Sequence, residues 1–193
     1  MASYWKESLK LFGLHVLFAI VSVFLLGSFS FVATSAVGSK IYSSVTALLY
    51  LSTLYSFVWQ AGRKDVRYLN VLKKHTGTDC QKINIWKGLW IGLLASIPSF
   101  IMLGLFIYAS HAGGMYYVWV NISYRVYQAA FLAWLGNDNL SYFWNCIIVT
   151  VLVPLLSGVA YFMGTRQFSI TERYLPGLIY KKKKTDKANK KRV

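Results

Sequence analysis

Residues Lys87–Tyr108 read KGLWIGLLASIPSFIMLGLFIY, and no formal charge lies between Gly88 and Tyr108. A helix rises about 1.5 Å per residue, so it crosses a hydrocarbon core of roughly 30 Å in about 20 residues. The stretch is therefore expected to span a membrane. Small residues recur near every fourth position, at Gly88, Gly92 and Ser96, and return at Gly104. Such a face lets a second helix approach closely, which makes this the expected packing centre. Pro98, near the middle, is the expected site of a kink.

Outward from this segment, the same reading finds three more apolar runs. The four spans are placed at about 11–32, 41–60, 88–108 and 142–164, with a second mid-span proline at Pro154. Hydrophobic residues make up 56% of the 193 residues and charged residues only 14%. A soluble domain carries about 25% charged residues, so the composition argues for a membrane protein. The expected fold is an all-α membrane protein: four transmembrane helices plus an outer interfacial or re-entrant helix. Residues 1–180 form a single polytopic membrane domain, and 181–193 form a basic cytoplasmic tail.

The net charge of +15 suggests nucleic acid until its distribution is considered. Most of the positive charge falls in two blocks, Arg63–Lys87 and Lys181–Arg192, each beside an apolar run. Loops on the cytoplasmic side carry such an excess of Lys and Arg, so topology explains the charge and no nucleic-acid partner is expected. The same rule decides residues 115–135, MYYVWVNISYRVYQAAFLAWL. If this segment crossed, the basic loop and the basic tail would lie on opposite sides. If it lies at the outer interface or re-enters, both termini and the basic loop share the cytoplasmic side. The second arrangement is adopted. The first span resembles a signal peptide in its flanks, but signal cores run about 7–15 residues and this run is longer. An uncleaved helix is expected.

Between the second and third spans, Val66, Leu69 and Leu72 recur at helical spacing, with Arg67, Lys73 and Lys74 on other faces. Two readings fit: an amphipathic helix attracted to anionic lipids, or a plain solvated loop. The second span holds hydroxyl residues (Ser43, Ser44, Thr46, Ser52, Thr53, Ser56), which suit close helix packing more readily than a polar path.

Chemistry-bearing residues are few. Asn121, Arg125 and Gln128 share one helical face and could contact an anionic ligand or a lipid; the competing reading is an interfacial Arg reaching for water. Pro98 and Pro154 could mark paired broken helices, as at transporter sites, or plain kinks. His15, His75 and His111 lie in different layers and cannot share a metal, and His15 inside a span reads as a packed, hydrogen-bonded residue. None of the six acidic residues lies inside a span. Asp65, Asp79 and His75, on one side of the membrane, are the one set that an enzyme could use. Cys80 and Cys146 form no metal or redox pattern. No catalytic residue, metal or cofactor is expected. Two glycosylation-type triplets start at Asn121 and Asn139, and the chain ends Lys190-Lys191-Arg192-Val193, which resembles an endoplasmic-reticulum retrieval signal.

The run KGLWIGLLASIPSFIM, preceded by a basic loop and followed by Tyr124-Arg125, resembles a pattern in small, uncharacterised four-span membrane proteins of Gram-positive bacteria. That resemblance implies a bacterial plasma-membrane location and carries no functional residue with it. The endoplasmic reticulum is the alternative location. The expected role is non-enzymatic: an accessory or partner-binding membrane protein, in contact with a lipid bilayer that includes anionic lipids. The partner would be another membrane protein or a second copy meeting the Gly88/Gly92/Ser96 face. The alternatives are a small transporter or channel subunit, and a lipid-modifying membrane enzyme.

Overall fold

A computed structural model of the chain describes residues 2–28, 35–76, 83–135 and 139–168. The expected basic tail, together with Cys80 and Asp79, lies outside the described residues. Among the described residues there are helices and turns and no strand. They are α1 (Ala2–Ser28), α2 (Ala36–Thr76), α3 (Lys87–Ala112), α4 (Gly114–Tyr127), a 3-10 turn (Ala129–Phe131), α5 (Leu132–Leu135) and α6 (Asn139–Thr165). Four of these, α1, α2, α3 and α6, are long and apolar enough to cross a membrane. The fold is thus all-α and of the membrane type. Large apolar side chains such as Ile20, Phe24, Leu48, Ile101 and Ile148 point outward. Helices that are apolar on every face suit lipid rather than water.

Three boundaries differ from the sequence expectation. Helix α1 begins well before residue 11, because Trp5, Lys6, Glu7 and Lys10 continue the helix even where charge ends the apolar run. Residues Ala36–Lys40, which lie between the first two expected spans, already belong to α2. Most of all, α2 does not stop near Gln60. It runs through the basic stretch to Thr76, 41 residues in all, and takes in the segment read either as a separate amphipathic helix or as a solvated loop. Lys, Arg and Leu are good helix formers, and charge limits where a helix can sit in a bilayer without breaking its hydrogen bonds.

The α3–α4 reversal is made by Gly113 and Gly114, with φ of 69° and 65°. Two consecutive residues in this left-handed region make a turn that side-chain-bearing residues resist. Helix α4 then runs back along α3. Tyr116 meets Tyr108, Tyr117 and Tyr124 meet Phe106, and the Tyr127 hydroxyl lies 3.3 Å from Ser99 Oγ. Ser99 is halfway along α3, so the segment penetrates to the middle of the bundle. Residues 114–127 thus fold back along α3 to its midpoint, the packing that the re-entrant arrangement expected for 115–135 requires.

The two ends of the bundle are built differently. At the end where α1 begins, α3 packs on α6 through its glycines. A Cβ on Gly88 would collide with Tyr161 Cβ, and one on Gly92 would lie 2.7 Å from Pro154 Cα and from Ser157 Cβ. The face expected to meet a second copy is therefore occupied by α6 of the same chain. Gly104, by contrast, has no neighbour within 4 Å of its would-be Cβ. Both α3 and α6 remain helical through Pro98 and Pro154.

Candidate functional site

Where the re-entrant segment ends, α4 stops at Tyr127 and the chain bends through Gln128, with φ −99° and ψ 28°. Irregular backbone at this depth is tolerated only if its polar groups are satisfied by protein. Helix α2 supplies the partners. Thr46 Oγ1 donates to the Ala130 carbonyl at 3.1 Å and Ser43 Oγ donates to the same oxygen at 3.3 Å. Ser43 Oγ also accepts from the Ala133 N–H at 3.2 Å. The hydroxyl-rich second span is thus divided. Ser43 and Thr46 face inward and hold the re-entrant backbone, whereas Ser52, Thr53 and Ser56 are exposed.

Helix α1 closes the cluster from the other side. His15 Nδ1 is 2.9 Å from the Tyr50 hydroxyl, and its ring lies 4.6 Å from that of Tyr127. Tyr50 in turn packs edge-on against Phe131. His15, Tyr50, Tyr127 and Ser99 therefore form one polar and aromatic knot in which α1, α2, α3 and α4 meet, and Gln128 follows Tyr127 directly. Gln128 is 2% exposed. His15 Nε2 and Gln128 Oε1, like Ser22 Oγ and Ser96 Oγ elsewhere in the bundle, are buried without a hydrogen-bond partner among the described residues. An unsatisfied buried polar group costs about 1–3 kcal/mol.

Of the three residues read as one ligand-binding face, Asn121 and Arg125 stay together and Gln128 leaves them. Arg125 Nε donates to Asn121 Oδ1 at 3.2 Å across one helical turn. Gln128 lies past the helix end and turns into the core. Of the other expected residues, Gly88 and Gly92 face α6, Ser96 is buried, and Pro154 packs against Gly92. The knot was legible only in part. Ser43, Thr46 and Tyr50 recur at intervals of three and four, a polar stripe on an apolar helix, and that was the available signal.

A second polar cluster ties the opposite end. Asp65 Oδ2 accepts from Lys87 Nζ and from the Tyr161 hydroxyl, both at 2.6 Å. Lys87 Nζ also stands 5.5 Å from the Tyr4 ring, so all four long helices meet here. Asp65 is thereby committed to structure. His75, exposed on the same helix, is ten residues further on, about 15 Å along the axis.

Beside the knot, a groove of about 720 Å³ opens between α1 and α4. Val16, Ile20 and Val23 form one wall and Trp119, Ile122 and Val126 the other, with Ser123 and Tyr127 the polar members. A smaller groove of about 400 Å³ lies between α2 and α6, against Phe131 and Trp134. Among the described residues no group of three or more His, Cys, Asp or Glu side chains could hold a metal ion. Compared with known protein families, with curated proteins and with solved structures, the chain matches none.

Proposed function

We propose that this chain is a multi-pass integral membrane protein that acts by binding rather than by catalysis, as an accessory subunit for another membrane protein. The observation that carries this reading is the groove between α1 and α4. Its walls are apolar and aromatic, it lies between helices long enough to span a bilayer, and its lining offers no acid–base pair. A partner's apolar membrane segment suits it in shape and chemistry. We place both termini and the Asp65–Lys87 end on the cytoplasmic side of the bacterial plasma membrane. Lys6, Lys64, Arg67, Lys73 and Lys74 gather towards that end, which supports this orientation.

The test is a photoreactive residue in place of Ile122 in cells. It should give one discrete protein adduct, abolished when Ala19→Trp fills the groove. Adducts to lipid alone would overturn the partner reading. A transporter or channel role is the second reading, favoured by the partnerless His15 Nε2 and Gln128 Oε1 at mid-bundle. Under it, purified protein in liposomes should pass a small polar solute, and Gln128→Leu should abolish the flux.

A further inference from the structure

The apolar run of α2 ends at Trp59, and the next two turns carry Gln60, Arg63, Lys64 and Arg67 on one side of the helix. These five residues line a cleft of about 290 Å³. The tryptophan is fixed: its Nε1 donates to the Phe168 carbonyl at 2.8 Å. The Arg63 guanidinium lies over the ring, 5.2 Å from its centre. A cation held on an aromatic face keeps its N–H donors pointing outward, where they can meet an anion. Asp65, the one acidic residue in α2, points to the other side and is bound by Lys87 and Tyr161. Three cations thus line the cleft while the nearest carboxylate in the helix is turned away.

The cleft also sits at the right height. It lies beside the end of α6, which the Trp59–Phe168 bond marks, at the level where α2 passes from apolar residues to charged ones. Tryptophan and arginine at that level are where phospholipid headgroups lie. We propose that Trp59, Gln60, Arg63, Lys64 and Arg67 form a specific site for the phosphate of an anionic phospholipid. Guanidinium groups grip phosphate through paired N–H donors, which an ammonium cannot reproduce. The site differs from the diffuse attraction that any basic stretch exerts, because the Arg63–Trp59 stack positions its charge. Lys73 and Lys74 carry the same charge further along α2 and are exposed.

The test uses the purified full chain and native mass spectrometry, with phosphatidylglycerol and phosphatidylcholine of identical acyl chains as probes. The wild type should retain one phosphatidylglycerol and no phosphatidylcholine. Arg63→Gln with Arg67→Gln should lower that retention about tenfold, whereas Lys73→Gln with Lys74→Gln, which removes equal charge, should leave it unchanged. Equal losses from the two pairs, or equal retention of the two lipids, would overturn the site. Displacement of the lipid by millimolar inorganic phosphate would assign the cleft to a soluble anion and overturn the lipid assignment. Independently of any variant, a photoreactive phosphatidylglycerol should label the wild-type peptide spanning 59–67; labelling spread evenly along α2 would count against the proposal.

Discussion

The two ends of this bundle solve the same packing problem in opposite ways. At the charged end, helices close by omission. Gly62 and Gly164 let α2 and α6 touch backbone to backbone, Gly88 and Gly92 do the same for α3 and α6, and one carboxylate draws the ends together. At the other end α4, the 3-10 turn and α5 are inserted between the helices, and hydroxyl groups hold them there. The first solution leaves no room between the helices at these glycines, and its one cleft lies outside the seam, on the flank of α2. The second leaves grooves on both sides and polar atoms without partners. Contact by omission gives rigidity and leaves binding to the outer flank, whereas contact by insertion opens grooves between the helices themselves.

That contrast can be broken deliberately. The largest effect is expected from Gly88→Leu, whose side chain would have to enter the volume of Tyr161 and the Ser157 backbone. A loss of about 3 kcal/mol is expected, read as a lower melting temperature in detergent. Gly104→Leu, facing open space, should change it little. Next comes Asp65→Asn, which weakens two short hydrogen bonds at once and should cost about 2 kcal/mol. Combining it with Lys87→Met should cost less than the sum of the two single changes, since both remove one ion pair. The smallest effect belongs to Ser43→Ala with Thr46→Val, expected near 1 kcal/mol. Here hydrogen exchange is the sharper measurement. Amides of residues 128–135 should exchange faster while those around Gly88 and Tyr161 stay protected. Faster exchange at both ends would show that the two halves do not act as separate units.

Much of the architecture could be read from residue order alone, for a physical reason. Apolar length is a local property, so the four long helices announce themselves in Lys87–Tyr108 and its counterparts. The charge balance favours a non-crossing arrangement of 115–135, and α4 is seen to fold back along α3 as far as Ser99. What stayed hidden is pairing. The spacing of Gly88 and Gly92 signals close approach without naming the neighbour, and the neighbour proved to be α6 rather than a second copy. Asp65 and Lys87 are separated by a loop, and neither is unusual by itself. His15 looked solitary because its companions, Tyr50 and Tyr127, come from other helices. Helix α2 outruns the expected span of 41–60 because charge bounds an apolar run without ending a helix, and Arg63–Lys74 contains no residue that breaks one.

The length of α2 has a mechanical consequence. Asp65 pins the helix to Lys87 and Tyr161, and eleven residues continue past that point to Thr76. They form an unbroken arm of about 16 Å. A tilt of about 10° at the pin therefore swings the tip by about 3 Å, given the rigidity of a continuous helix. Tyr68, Val71 and Leu72 are exposed along it. The pinned aspartate is a fulcrum, and whatever touches the tip has leverage on the packed end of the bundle.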